Sequence, residues 1–215
     1  MKGDVFGIFP TPILKFGLNR EFTNEELDFV YKYEGNIPPP PHYVHLGNNA
    51  TSDKKILEHP EMANLKMFIE NCLNEWCIKI YDPINPESFK LKITQSWINY
   101  TKPGEHHDRH YHPNSIVSGV LYIDTNPKKD QIIFNSGKMY DFYIPWKSLN
   151  QFNSLEAVIN VNKKDVVLFP SNLNHSVPKN VGTNTRISLA FNSFFEGTLG
   201  INKTEPNYTE FNSVS

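Results

Sequence analysis

The stretch KLKITQSWINYTKPG, residues 90–104, alternates apolar and polar side chains and then ends in a turn. Alternation with a period of two is typical of a strand with one buried face, and Pro-Gly ends such a strand. The runs that follow are short, apolar and separated by Gly, Pro, Asn and Lys: SIVSGVLYID, QIIFN, LEAVINV, DVVLFP and RISLAFNSFF. Six or seven such strands in about one hundred residues predict a sandwich or barrel.

The first part of the chain predicts helices and one strand. FGIFPTPILKFGL is interrupted by proline and predicts a short edge strand. In TNEELDFVYKY, Thr23 and Glu26 form a capping-box pattern at the start of a helix. ILEHPEMANLKMFIENCLNEWCIKIYD repeats apolar side chains every three or four residues and predicts the longest helix, packed on a sheet.

The composition of the chain argues against two kinds of binding partner. The 215 residues carry a formal net charge of −2 without a basic stripe, so nucleic-acid binding is not expected. No apolar run approaches the roughly 18 residues needed to span a bilayer, so no membrane partner is expected. The expected location is the cytoplasm.

The segment EHHDRHYHPNS, residues 105–115, contains half of the eight histidines. His106, Asp108, His110 and His112 are all even-numbered, so an extended strand places them on one face, about 6.5 Å apart in steps of two. His175, the only histidine downstream, follows the strand DVVLFP. This pattern predicts a mononuclear metal site with three protein ligands and open positions; the alternative is a solvated, histidine-rich loop.

Strand parity does not decide which pair binds the metal. His106 and Asp108 form one pair, His110 and His112 another, and Asp108 with His110 a third. All four cannot bind one ion, because His106 and His112 are roughly 20 Å apart along an extended strand.

Arg186 and Ser188 share one face of the strand RISLAF, while Ile187, Leu189 and Phe191 share the other. The planar guanidinium fork suits a carboxylate, and the serine adds a hydroxyl donor. The pattern predicts a cavity wall that binds an anion; a surface ion pair is the alternative.

The order HYH…SGVLY…DVVLFPSNLNHSV…RISLAFN resembles the 2-oxoglutarate/Fe(II)-dependent oxygenases, of the prolyl-hydroxylase-like superfamily. It is most similar to a group, known from marine bacteria and phages, with the pattern H-x-H-P-x-S…S-G-V-Y-Y…F-P-S-x-L-x-H-x-V…R-I-S-x-x-F-N. IFPTPILKF and ILEHPEMANLK resemble the N-terminal half of that group, so the resemblance covers most of the chain. It is weakest near residues 136–153, where the aromatic segment SGKMYDFYIPWKSLNQF predicts either a lid or an outer hairpin, and in the tail.

The resemblance implies a mainly β fold with flanking helices, a double-stranded β-helix of the jelly-roll, cupin-like type. It implies a single oxygenase domain over residues 1–215. Within it, residues 1–88 would form a strand and buttressing helices, 89–196 the jelly-roll core and 197–215 a tail.

The resemblance also implies the site. HYHPNS aligns with its pattern, which favours the register of His110 and His112 over His106 and Asp108, and His175 matches the distal histidine. Arg186, assisted by Ser188, would hold the far carboxylate of 2-oxoglutarate. Tyr122 would contact the same carboxylate or else be a core aromatic. We expect Asp108 to accept a hydrogen bond from a ligand imidazole.

The implied function is an Fe(II)- and 2-oxoglutarate-dependent dioxygenase. It would use molecular oxygen to hydroxylate an unidentified small molecule or peptide, releasing succinate and CO2, in the cytoplasm (the host's, if phage-encoded). The sequence also leaves two alternative functions open. One is a cupin-like three-histidine metalloenzyme without 2-oxoglutarate, and the other is a non-catalytic jelly-roll binding module. Three neutral imidazoles would leave a ferrous site at +2 rather than +1.

Overall fold

The computed structural model describes residues 3–34, 49–137 and 144–212, and most of its regular structure is antiparallel β. The strands are β1 Leu14–Gly17, β2 Asn49–Ala50, β3 Phe89–Thr101, β4 His107–His110, β5 Val117–Asp124, β6 Gln131–Asn135, β7 Glu156–Asn160, β8 Asp165–Pro170, β9 His175–Val177, β10 Arg186–Leu199 and β11 Thr209–Phe211. The α-helices are α1 Asn24–Glu34 and α2 Ala63–Trp76.

The strands form two sheets. The major sheet has the order β1-β8-β5-β10-β3-β2, with β11 also paired to β10, and the minor sheet has the order β4-β9-β6-β7. Every named pair within them is antiparallel. The predicted mainly β jelly-roll with flanking helices is confirmed, and β1 is the edge strand that its proline-rich sequence predicted.

The centre of the major sheet is β10, which pairs with β3 along most of its length and with β5 on its other side. Ile187, Leu189 and Phe191 point into the hydrophobic core on the helical side. Arg186 and Ser188 point the other way and line a cavity between the sheets. The predicted division of this strand into an apolar and a polar face is therefore confirmed.

The start of α1 has the predicted capping box. The Glu26 backbone N–H donates to Thr23 Oγ1 at 3.2 Å, and the Thr23 N–H donates to Glu26 Oε2 at 2.9 Å. Both donors would otherwise lack a partner in the first turn of the helix.

The second helical segment is shorter than its sequence pattern predicted. Two 3-10 turns, Ile56–Glu58 and Pro60–Met62, precede α2, and a π-helical turn, Cys77–Tyr81, follows it. Proline lacks an N–H and restricts the residue before it, so a single regular helix cannot run through Pro60.

The main hydrophobic core lies between α2 and the outer face of the major sheet. Leu65, Ile69, Leu73 and Trp76 of α2 are at most 1% exposed. Full burial of one such aliphatic side chain stabilises a protein by about 1.5–3 kcal/mol. This packing holds one face of the major sheet rigid and leaves the opposite face for a binding site.

The aromatic segment after β6 lies partly outside the described residues, which omit 138–143. In its described part Ile144, Trp146, Leu149 and Phe152 are at least 40% exposed, so these side chains do not belong to the core. No helix in the described parts of the chain is long and apolar enough to cross a membrane.

Gly119 offers a test of the packing within the major sheet. A Cβ at this position would lie 2.3 Å from Phe191 Cζ and 2.6 Å from Leu168 Cδ2, which belong to the residues paired with Gly119 on the two adjacent strands. Gly119→Ala should therefore lower the free energy of unfolding by about 1–3 kcal/mol, measured by urea denaturation.

Gly17→Ala is the matched control, because Gly17 lies in β1 of the same sheet and no atom of the described residues lies within 4 Å of the added Cβ. It should change stability by no more than about 0.5 kcal/mol. Equal effects of the two substitutions would contradict the packing described for β5.

Candidate metal centre and adjoining cavity

Three histidines meet at the end of the minor sheet. His110 of β4 and His175 of β9 are paired directly across the strands. His112 lies just beyond β4, where its backbone N–H donates to the Ser171 carbonyl at 2.8 Å. One potential ligand nitrogen from each of the three lies within 4.8 Å of the others, close enough for all three to bind one ion.

The expectation that four even-numbered side chains share one face is wrong. The register of β4 against β9 shifts between His107 and His110. An extra residue in one strand reverses the alternation of side chains beyond it. His106 and Asp108 consequently point outward, with side chains 49% and 48% exposed, and bond to each other at 2.9 Å.

Each histidine of the cluster has its Nδ1 bonded to an acceptor. His110 Nδ1–H donates to the Asp108 backbone carbonyl at 2.7 Å, and His175 Nδ1–H donates to the Leu173 carbonyl at 3.0 Å. His112 Nδ1–H donates to Asn192 Oδ1 at 2.6 Å. A proton fixed on Nδ1 leaves the lone pair on Nε2, which is the form that binds a metal.

The expected role of Asp108 needs a correction in one detail. The group that accepts the hydrogen bond from His110 is the main-chain carbonyl of Asp108, whereas its carboxylate contacts His106. The reversed alternation points this carboxylate away from the cluster.

The contact between His112 and Asn192 was not predicted. The Ser118 hydroxyl also lies 2.8 Å from His112 Nδ1 and donates to Asn192 Oδ1 at 2.8 Å, and Asn192 Nδ2 donates to Gln95 at 3.2 Å. The sequence signal for Asn192 was its place at the end of the R-I-S-x-x-F-N pattern.

Burial keeps the cluster neutral. It lowers the pKa of His112 to about 4 and that of His175 to about 3, and it also lowers the pKa of His110. Desolvation of the charged form is the main cause in each case, and the neighbouring imidazoles add to it for His112 and His175. The imidazoles are thus neutral near pH 7, as metal ligands must be.

The cavity beside the cluster is lined by both sheets. Its lining includes Arg186, Ser188 and Tyr122 of the major sheet, together with the three histidines. Ser188 and Tyr122 are cross-strand partners, which brings the three predicted co-substrate residues together.

Arg186 is held by a buried carboxylate that was not predicted. Its Nη1 donates to Asp130 Oδ1 at 3.0 Å, and both side chains are at most 3% exposed. Asp130 Oδ2 accepts the backbone N–H of Asn126 at 2.7 Å. No local pattern in the sequence marks Asp130, which is 56 residues from its partner.

Three buried polar atoms at this cavity lack a hydrogen-bond partner among the described residues: Arg186 Nη2, Tyr122 Oη and His107 Nε2. Burial raises the pKa of Tyr122, so its hydroxyl remains a donor. An unpartnered buried polar atom costs about 1–3 kcal/mol, so three at one cavity indicate a site for a hydrogen-bonding ligand. The arginine and the tyrosine hydroxyl are donors, which favours an anionic ligand.

Of the four histidines in residues 105–115, His107 is the one that the sequence interpretation did not select. Its ring stacks on that of His110, with centroids 4.2 Å apart and an angle of 18° between the planes. Burial, with a smaller effect of the nearby imidazoles and Arg186, lowers its pKa to about 2.

A family model described as "Putative 2OG-Fe(II) oxygenase" matches residues 95–192, a span that contains the histidine cluster, Arg186 and Asp130. A comparison with curated protein sequences gives no match.

Solved structures with the same fold include several 2-oxoglutarate oxygenases. A Pseudomonas putida prolyl-4-hydroxylase superposes with a TM-score of 0.51 at 14% identity, over 85% of this chain and 92% of that one. A prolyl hydroxylase from Trichoplax adhaerens, in complex with a hypoxia-inducible-factor peptide, gives 0.56 at 12% identity, over 85% and 83%. HygX from Streptomyces hygroscopicus, with nickel, 2-oxoglutarate and hygromycin B bound, gives 0.52 at 14% identity, over 85% and 82%.

These likenesses show the fold, and the family model covers the strands that carry the histidine cluster and the arginine. Residues 95–192 are therefore similar to the 2OG-Fe(II) oxygenase family, whose name gives Fe(II) and 2-oxoglutarate as its cofactors.

Proposed function

We propose that this protein is an oxygenase that hydroxylates a small molecule or a peptide and releases succinate and CO2. In this proposal Fe(II) is bound by His110, His112 and His175. The observation that carries it is the position of this cluster beside a cavity whose buried arginine has one nitrogen without a partner among the described residues.

The donor set fits Fe(II). Imidazole nitrogen is a good ligand for iron, and three protein ligands leave positions open for a co-substrate and oxygen. The acceptors at Nδ1 orient each ring and would leave Nε2 available to bind the ion.

The cavity also fits a dicarboxylate. Arg186 Nη2 and Tyr122 Oη are free to donate to the far carboxylate, and the Ser188 hydroxyl lines the same wall. Asp130 contributes to this binding site by orienting the arginine. It accepts a hydrogen bond from Arg186 Nη1 and so fixes the guanidinium with its other edge toward the cavity.

Charge balance supports the same ligand. Arg186 and Asp130 cancel each other, and the imidazoles are neutral, so Fe(II) gives the cavity a charge of +2. 2-Oxoglutarate carries two carboxylates and offsets that charge. In the commoner two-histidine, one-carboxylate site the carboxylate is on the metal instead.

Once bound, the iron supplies the activation of oxygen that is coupled to the decarboxylation of 2-oxoglutarate. The protein's own residues bind and orient. Arg186 and Tyr122 would hold the co-substrate, while Trp97, Val120 and Ala190 give the cavity an apolar wall that keeps water out.

We also propose that the N-terminal segment and the jelly-roll act as one domain over residues 1–215. In support, β1 pairs with β8, and the helices of the first half pack on the outer face of the major sheet.

Anaerobic titration of the protein with Fe(II) and 2-oxoglutarate tests the proposal. A weak metal-to-ligand charge-transfer band in the visible is expected when the keto acid chelates the iron. Metal binding without the band would favour a three-histidine metalloenzyme without 2-oxoglutarate. Absence of both would favour a non-catalytic binding module.

The ligand set predicts a graded loss of Fe(II) affinity, measured by anaerobic competition with a chelator. His112→Ala should lower the affinity by more than about a hundredfold, since it removes a ligand. Asn192→Leu should cost about ten- to a hundredfold, since Asn192 only orients the ligand ring. Asp108→Ala and His106→Ala should cost little, because the Asp108 carbonyl that bonds to His110 remains. A larger loss in either of these two variants than in His112→Ala would instead support the register of His106 and Asp108.

If Arg186 and Tyr122 bind the far carboxylate of 2-oxoglutarate as a carboxylate clamp, two buried tyrosines should respond oppositely to replacement by phenylalanine. One substitution should weaken 2-oxoglutarate binding, and the other should lower stability. Tyr122→Phe removes an unpartnered hydroxyl, so it should weaken 2-oxoglutarate binding roughly ten- to a hundredfold without lowering the melting temperature of the ligand-free protein. Tyr100→Phe is the matched control, because Tyr100 donates to the Val30 carbonyl at 2.5 Å. It should cost about 1–3 kcal/mol of stability and leave 2-oxoglutarate affinity unchanged. Unchanged affinity in Tyr122→Phe would remove Tyr122 from the clamp.

A further inference from the structure

His107 lies inside the cavity because of the irregularity in β4. With regular alternation it would point to the outer surface, opposite to His106 and His110. The register shift between His107 and His110 turns it inward, where it lines the cavity together with Arg186 and the histidine cluster.

His107 lies next to the three clustered histidines but is not one of them. His110 faces His175 across the minor sheet, whereas His107 faces Val177. Among the described residues, the group of nitrogens within 4.8 Å of one another contains His110, His112 and His175 but not His107. Its ring also stacks nearly parallel on that of His110. These relations argue against a fourth metal ligand.

The surroundings of His107 also argue against a purely structural role. Its Nε2 is buried and has no hydrogen-bond partner in the described part of the chain. Side chains that only fill a core seldom leave such an atom, because a buried polar group without a hydrogen bond costs about 1–3 kcal/mol. Arg186 and His107 line the same cavity.

We propose that His107 is a further co-substrate-binding residue: its Nε2–H donates a hydrogen bond to the carboxylate of 2-oxoglutarate held by Arg186 and Tyr122. The three unpartnered atoms of the cavity then share one ligand, with donors from both sheets. The minor sheet would thereby contribute to co-substrate binding as well as to the metal site. This inference rests on the proposed function.

His107→Phe tests the role, because phenylalanine keeps an aromatic ring against His110 and removes only the nitrogens. The readout is the anaerobic charge-transfer titration of the Fe(II) protein with 2-oxoglutarate. The dissociation constant should rise roughly ten- to a hundredfold, as expected for the loss of a hydrogen bond to a charged group. His107→Gln, whose amide nitrogen takes about the place of Nε2, should recover part of the loss.

Two controls separate binding from structural damage. His106→Phe makes the same change at the adjacent, exposed histidine, which the structure leaves outside the cluster, and should leave the affinity for 2-oxoglutarate unchanged. 2-Oxopentanoate chelates a metal in the same way but lacks the far carboxylate. Its affinity should therefore be the same for the parent protein and for His107→Phe.

These measurements distinguish a failure of the proposed function from a failure of the role assigned to His107. If the parent protein shows no charge-transfer band, the proposed function fails and this inference fails with it. If the parent protein binds 2-oxoglutarate and His107→Phe binds it equally well, only the role of His107 is overturned. Loss of Fe(II) affinity in His107→Phe, or equal weakening of 2-oxoglutarate and 2-oxopentanoate, would show that His107 acts on the metal site and would overturn the assignment.

Discussion

A buried polar atom without a hydrogen-bond partner lowers the stability of the fold by about as much as a hydrogen bond contributes, or more. Most buried polar atoms between the two sheets therefore have a partner. The Nδ1–H groups of the three clustered histidines donate to two main-chain carbonyls and one asparagine oxygen. Arg186 donates to Asp130 through Nη1. Three other buried atoms at the cavity have no partner among the described residues, and these are the positions where a ligand would bind.

This arrangement depends on the different faces of β10. The outer face carries Ile187, Leu189 and Phe191 and is covered by the hydrophobic core beneath α2. The inner face carries Arg186 and Ser188, and Asn192 on the same strand bonds to His112. One strand therefore positions both the arginine and the support of a metal-ligand candidate. Rigid packing behind a strand is what holds functional side chains in a fixed geometry.

The carboxylate at Asp130 gives the three-histidine cluster a physical rationale. A site with two histidines and one carboxylate lowers the charge at the metal, and the arginine then adds one positive charge. Here the metal-binding candidates are neutral, and the carboxylate lies on the arginine. The charge offered to a dicarboxylate is the same in both arrangements, although its distribution differs. In the proposed binding mode, this difference would place more positive charge at the keto-acid end of the ligand and less at the far end.

Local sequence determined much of the fold. The period-two alternation from residue 90 onward, the capping box at Thr23 and the two faces of β10 are properties of short segments, and each was readable without the structure. The order of motifs also singled out His110, His112 and His175, which the structure brings together. Only the tertiary structure decided that His107 turns inward and Asp108 outward, because a bulge arises from the pairing of β4 with β9, strands distant in sequence. The same holds for Asp130, since a buried arginine needs a carboxylate nearby in space and no local pattern shows where along the chain that carboxylate lies.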